Sequence, residues 1–352
     1  MAGRASGTVG GPAGAGKPAP AAGVPAAGRR ARWALLKAGV SLALLALLLS
    51  RVDPGQMAAA VRGADLALLF TCVPLYVVGQ SLSTWRWQIL LAAEGIRVRF
   101  WRLLALYVEG MFFNLFLPTA VGGDVVRGYR IWHLTGAGEG ALASILVERL
   151  SGFVAMIGIA AAATGVALGT GGMRDPLVVL FVAAVAAALA AGTILISSPT
   201  AFRLAERAAG RWAEAGLFQA VRRFCEAMQR YRRHGRAVAA ALAISTAFQT
   251  LLISLVYLLA VALHLPVRFG QFLIFIPIVN VISMLPVSVG GLGLREGGTV
   301  VLLGTVGVGA AGALTLSLLW FAVAAVTSLP GGIIFLWSSH AAKARPAPAA
   351  AE

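Results

Sequence analysis

The residues best suited to chemistry lie in a repeated string. Leu-Pro-x-x-Val-Gly-Gly-x-x-x-Arg occurs at Leu117–Arg127 and again at Leu285–Arg295. In each copy an apolar segment runs into a proline (Pro118, Pro286), a glycine pair (Gly122-Gly123, Gly290-Gly291) and an arginine. Proline ends an incoming helix because it lacks the backbone N–H and crowds the preceding turn. The glycines, with Gly293 beside the second pair, permit tight turning and close backbone approach. A helix that starts after them directs its positive end at whatever lies in front. Arg127 and Arg295 then offer planar forks of donors that match phosphate oxygens. A second reading makes both strings tight helix-packing corners, with the arginines snorkelling to headgroups.

Further charges lie close to these strings. Asp124 and Arg130 flank Arg127, Glu296 follows Arg295, and Glu148-Arg149 interrupts an otherwise apolar run. A charge in a membrane core costs at least ~2.5 kcal/mol on insertion scales, so it faces a cavity or a partner. Adjacent helical residues point about 100° apart, so Glu148 and Arg149 need separate partners. Asp124 or Glu296 suits Arg149, and Arg127 or Arg295 suits Glu148. Such a network fixes a helix bundle, gates a pathway, or does both. Glu109 and Asn114 are secondary candidates. Trp85-Arg86-Trp87 reads as an interfacial belt.

These residues have to be positioned inside a membrane. Of 352 residues, 59% are hydrophobic and 12% charged, too few charges to cover a soluble surface. The apolar residues come in long blocks, and about 20 in a row cross a hydrocarbon core as a helix. Trp33–Ser50 reads as a retained first helix and not a cleaved leader. Further segments fall near Leu66–Ser83, Leu103–Pro118, Ala141–Leu168, Leu177–Ser197, Val238–Leu263, Phe272–Pro286, Thr299–Ala310 and Ala313–Trp337. Residues 1–32 and 341–352 read as disordered tails. Two cysteines, Cys72 and Cys225, and four scattered histidines give no disulfide framework and no metal site. No cofactor is expected.

The net charge of +16 fits Lys and Arg gathered in cytoplasmic loops, and no pattern supports nucleic-acid binding. Residues 198–236 carry nine arginines against three glutamates. Leu217, Val221, Phe224 and Met228 make an apolar stripe there. That suits a basic helix lying on an anionic leaflet, and equally a linker helix packed on the bundle. Keeping this linker and the N-terminus on one side requires one of the earlier segments to enter and leave on the same side. Leu103–Pro118 with its polar return leg is that segment, since broken backbone is tolerated at membrane depth only where protein or water satisfies it. Phe272–Pro286 and Thr299–Ala310 then form a hairpin entering from the opposite side. The expected fold is an all-α polytopic bundle of six full spans with two re-entrant, discontinuous hairpins in an inverted repeat. The expected location is the cytoplasmic (inner) cell membrane, with both termini cytoplasmic.

Asn114–Arg130 (NLFLPTAVGGDVVRGYR), Ser144–Leu150 (SILVERL) and Pro286–Glu296 (PVSVGGLGLRE) together resemble the membrane domain of the lysylphosphatidylglycerol synthase family, the flippase-like integral membrane proteins. The resemblance covers roughly residues 33–340. It implies lipid translocation: bifunctional members move an aminoacylated phospholipid to the outer leaflet, and others handle lipid-linked sugars. Carried over by motif, Asp124, Arg127, Glu148, Arg149, Arg295 and Glu296 are its site residues. The bifunctional members carry a soluble synthase domain after the membrane part, which is not seen here, so lipid aminoacylation is not expected.

The expected function is therefore a flippase or transporter for an anionic phospholipid, aminoacyl-phospholipid or polyprenyl-linked lipid, not an enzyme. Its partners are membrane lipids. There is no P-loop, so transport is downhill or coupled to an ion gradient, with Glu148 or Asp124 as the proton site. One rival is an accessory protein docking an envelope enzyme through the basic linker. The other is a membrane-bound lipid transferase, against which the few acids and scattered histidines argue.

Overall fold

A computed structural model describes residues 27–116, 122–171, 175–197, 207, 216–285 and 287–343. Among these residues the chain is all-helical. The helices are α1 (Ala27–Ser50), α2 (Pro54–Arg62), α3 (Leu66–Ala93), α4 (Phe100–Phe116), α5 (Gly122–Thr135), α6 (Gly138–Gly169), α7 (Pro176–Ser197), α8 (Gly216–Tyr231), α9 (Gly235–Ala262), α10 (Phe269–Ser283), α11 (Leu294–Gly304) and α12 (Ala310–Lys343). The expected tails and the first half of the basic linker lie almost wholly outside the described residues. Helices α3, α6, α7, α9 and α12 are long and apolar enough to cross a membrane. Gly39–Ser50 with α2, bent by 82°, makes a sixth candidate span. The chain is a polytopic helical membrane protein.

Hydrogen-bonding needs fix where the helices start. Asp53 Oδ1 accepts from the Gly55 amide at 2.8 Å ahead of Pro54, and Asp65 Oδ1 accepts from the Ala67 amide at 2.9 Å. These carboxylates cap orphan N–H groups at α2 and α3. Helix α9 is the central post, packed on α3, α6, α10 and α12. It presents small or branched residues such as Ala241, Ser245, Val256 and Ala260. In lipid the gain comes from such close packing and not from hydrophobic transfer.

Contacts define two ends. At one, the Asp65 amide donates to Ala262 O at 2.9 Å, joining the start of α3 to the finish of α9. At the other, Tyr231 Oη donates to Leu90 O at 2.8 Å, and Arg230 on α8 pairs with Glu94 and Glu139. The α4–α5 hairpin opens at the Glu94 end, where Leu103 and Ile131 pack with Ile96 and Ala141. The α10–α11 hairpin opens at the Asp65 end, where Phe272, Leu303 and Val308 share a core with Ala64 and Leu263. The two hairpins therefore enter the bundle from opposite ends.

Helix α8 packs on α6 and α7. Cys225, Ala227 and Tyr231 are buried against the bundle, so the face it turns inward is not free for a leaflet. Burial raises the Cys225 thiol and the Tyr231 phenol above their usual ranges. The side chains of Leu217, Val221 and Phe224 lie outside the described set.

Helix α4 is gripped by glycines on two sides. A Cβ on Gly123 would stand 1.9 Å from Gly110 O, and one on Gly331 of α12 would stand 2.2 Å from Val108 O. Both distances are far inside van der Waals contact, and the opposing atoms are backbone, so no rotamer change relieves them. Gly158 on α6 has open space beside it. Gly123→Ala is expected to abolish the monodisperse folded peak in detergent size-exclusion chromatography, whereas Gly158→Ala should leave it unchanged. A well-folded Gly123→Ala protein would refute the close approach of α4 and α5.

Candidate functional site

Where the two hairpins meet, the described residues border a partly open cavity of about 420 Å³. Its wall combines Gly110 and Asn114 of α4, Asp124 and Arg127 of α5, Glu148 and Arg149 of α6, and Arg86 of α3. Asn280, Ser283, Met284 and Gly290 of the second hairpin close the other side. Both motif copies thus reach one space.

The charges form a chain across three helices. Arg149 Nε donates to Asp124 Oδ2 at 2.7 Å, and Arg127 Nη2 donates to Asp124 Oδ1 at 2.5 Å. Arg127 Nη1 donates to Glu148 Oε2 at 3.3 Å. Glu148 Oε1 also accepts from Arg86 Nη2 and from the Tyr107 hydroxyl, each at 3.0 Å. The order is Arg149–Asp124–Arg127–Glu148–Arg86. Arg127 further stacks over the Tyr107 ring at 4.3 Å and the Trp87 ring at 4.8 Å. Arg86, Asp124, Arg127 and Glu148 are all buried, so each charge depends on its neighbours for solvation. Arg149 is the exception, with 40% of its side chain exposed.

The two alternatives for each of Glu148 and Arg149 are thereby resolved. Glu148 takes Arg127 and Arg149 takes Asp124, both from the first hairpin. Arg130 pairs with buried Glu109 at 2.7 Å and does not line the cavity. Asn114 Oδ1 accepts from the Gly123 amide at 2.8 Å. The start of α5 is thus met by Asn114, with Asp124 supplying negative charge in its first turn.

The second motif copy folds differently. Gly290, Gly291 and Gly293 all have positive φ, at 58°, 78° and 84°, and α11 begins after them. Glu296 is buried and accepts from the Gly293 amide at 2.6 Å, closing the helix start. Arg295 pairs with Glu296 and lies 4.9 Å over the Phe321 ring. Neither residue lines the cavity. Pro118 and Pro286 lie outside the described residues, as do Leu117 and Val121.

The sequence reading misses Arg86 and Tyr107, which both line the cavity and bond Glu148. Arg86 is not interfacial: it is buried, bonded to Ser245 Oγ at 2.8 Å as well as to Glu148. Trp87 is buried too and donates to Ser144 Oγ at 3.0 Å, while Trp85 is exposed. The signal available was helical angle: Trp85 and Arg86 point about 100° apart, so an outward-facing Trp85 does not place Arg86 outward.

Removing Arg295 strands Glu296 in the protein interior. Arg295→Ala should therefore cost about 3–5 kcal/mol, the usual penalty for an uncompensated buried charge. Adding Glu296→Gln should recover part of it, because the amide oxygen still accepts from Gly293. Thermal unfolding in detergent reads both; no loss in the single variant would remove the pair's structural role.

Residues 34–331 match the family model described as the lysylphosphatidylglycerol synthase TM region. Over 112 residues the chain is 30% identical to a UPF0104 membrane protein of Methanothermobacter thermautotrophicus. That match spans 31% of this chain and 33% of the relative, about a third of each. The extent of the family match decides membership: this chain belongs to the lysylphosphatidylglycerol synthase transmembrane-region family.

Proposed function

We propose that the chain translocates a phosphate-bearing lipid between leaflets, acting as a carrier and not as a lipid transferase. One observation carries this reading: a charged cavity inside a membrane bundle, walled by hairpins that open at opposite ends. Transporters with discontinuous helices build their sites in this way, near the midplane at the interface between repeats. The lipid headgroup occupies the cavity while its tails stay among the helices and the bilayer. Small rocking of one hairpin against the other exposes the cavity first to one end and then to the other.

The arginine–carboxylate chain suits an exchange step. An incoming phosphate takes donors from a carboxylate and the carboxylate takes them back on release, so the arginines are never left unpaired in low dielectric. Arg86 Nε, buried and without a hydrogen-bond partner among the described residues, is a further donor in the wall.

Orientation follows from charge. Arg97, Arg99 and Arg102 follow α3, and Arg230, Arg232, Arg233 and Arg236 surround the finish of α8, all towards the Glu94 end. The positive-inside rule makes that end cytoplasmic. This orientation fits a cytoplasmic membrane, with α12 ending on the cytoplasmic side.

In proteoliposomes, wild-type protein should expose inner-leaflet fluorescent phosphatidylglycerol to an external quencher faster than protein-free vesicles do. Arg127→Lys keeps the charge but loses the fork that joins Asp124 to Glu148, and should fall to the protein-free rate while remaining folded. Undiminished flipping by Arg127→Lys and by Arg127→Ala would overturn the site.

A further inference from the structure

Beside the charged cavity runs a second space of about 510 Å³, between α5 and α6. Val125, Gly128 and Trp132 line it from α5, and Leu142 and Ile145 from α6. Its wall is almost wholly apolar. It joins the charged cavity through shared residues: Asp124, Arg149, Phe153 and Met284 border both. Arg149 stands at that junction with its side chain part exposed, and its donors rest on Asp124 Oδ2.

We infer that this groove is a lateral binding site for one lipid, with one hydrocarbon chain along α5 and α6 and its phosphodiester on Arg149. The inference rests on the translocation reading for its purpose, but not for its geometry. Three features select this occupant over a bulk bilayer lipid. The groove is continuous with a polar space, so a single amphipathic molecule fits both. A cation sits at the boundary, where the headgroup of a chain in the groove must come. And the charge is one-sided: among the described cavity residues, Arg86, Arg127 and Arg149 stand against Asp124 and Glu148. One positive charge is in excess, and one phosphodiester neutralises it. A diphosphate would leave a net negative charge in a low-dielectric site.

The groove further explains why Arg149, alone in the chain of charges, is left accessible. Phosphate oxygens approaching from the groove meet Arg149 before any other donor, and they compete there with Asp124. Transfer of Arg149 from Asp124 to the lipid loosens one of the two ion pairs joining α5 to α6. The other, Arg127–Glu148, remains. Phe153 and Met284, on the border with the second hairpin, form the apolar lip that the headgroup must pass to go deeper.

The test is photo-crosslinking of full-length protein in phosphatidylcholine nanodiscs. Three probes carry a diazirine in the chain: phosphatidylglycerol, phosphatidylcholine and a prenyl diphosphate. Adducts mapped by mass spectrometry should concentrate on Val125, Trp132, Leu142 and Ile145 with the phosphatidylglycerol probe, above the other two. Arg149→Gln removes a charge-assisted hydrogen bond and should cut that labelling by about tenfold. Leu142→Trp fills the groove from an exposed position and should cut it without touching a charge. Equal labelling by all three probes, insensitive to both variants, reduces the groove to ordinary boundary lipid and overturns the inference; preference for the diphosphate overturns its charge assignment. Groove labelling in a protein that does not flip lipid overturns the transport reading alone, and flipping without groove labelling overturns the groove alone.

Discussion

The structure is organised around the ion pairs between α5 and α6. Asp124 and Arg127 on one helix meet Arg149 and Glu148 on the other, and Arg86 of α3 completes the line. In a hydrocarbon environment none of these groups can be solvated by water without a cavity, so each helix must stand where its charge finds the next. Adjacent residues Glu148 and Arg149 point to different parts of the line, which lets one turn of α6 bind Asp124 and both Arg127 and Arg86. This constraint holds a short, polar helix, α5, among the long apolar helices of the bundle.

That placement depends on backbone shape. Asp124 reaches Arg149 because the start of α5 lies close against α4, where Gly123 meets Gly110 with no side chain between. Asn114 Oδ1 then accepts from the buried amide of Gly123 at the start of α5. Glycine at 331 lets α12 come up behind α4 in the same way. The small residues and the charges are thus one device: close backbone approach supplies the dispersion contacts that hold helices together in lipid, and it sets the distances at which the ion pairs form.

The long helices were legible because length and hydropathy determine them, and the hairpins because proline and paired glycines punctuate apolar segments. The opposite entry of the two hairpins followed from counting charges, and contacts at the two bundle ends agree with it. What stayed hidden depends on distant packing. Arg86 sits between two tryptophans, and in a linear string that resembles a membrane-interface belt; only the neighbours Ser245 and Glu148, from α9 and α6, reveal its burial. Helix α3 likewise continues past Ser83 to Ala93 because its polar residues turn inward. Gly331-Gly332 attracts no notice by sequence, since nothing local says that α4 lies against it. The partners of Glu148 and Arg149 were narrowed to pairs of alternatives, and three-dimensional proximity to the first hairpin chose between them.

The two motif copies match in sequence but differ in physics. The first starts its helix at the glycines and spends its arginine on the cavity's charge chain. The second leaves its glycines unwound in left-handed conformations, and its arginine is tied to Glu296 under the aromatic rings of α12. One hairpin thus supplies charge and the other supplies backbone that can turn, held at its base by a capped helix. Val289 and Gly293 touch Ser41 and Leu44 of α1, so movement of this tip is felt by the first helix. On the translocation reading the division of labour is consistent: a fixed charged wall from the Glu94 end faces a glycine-rich wall from the Asp65 end. The second wall holds its positive φ values without strain, because they belong to glycine. A symmetric pair, each clamping the ligand with an arginine, would double the charged donors on an anion and slow its release.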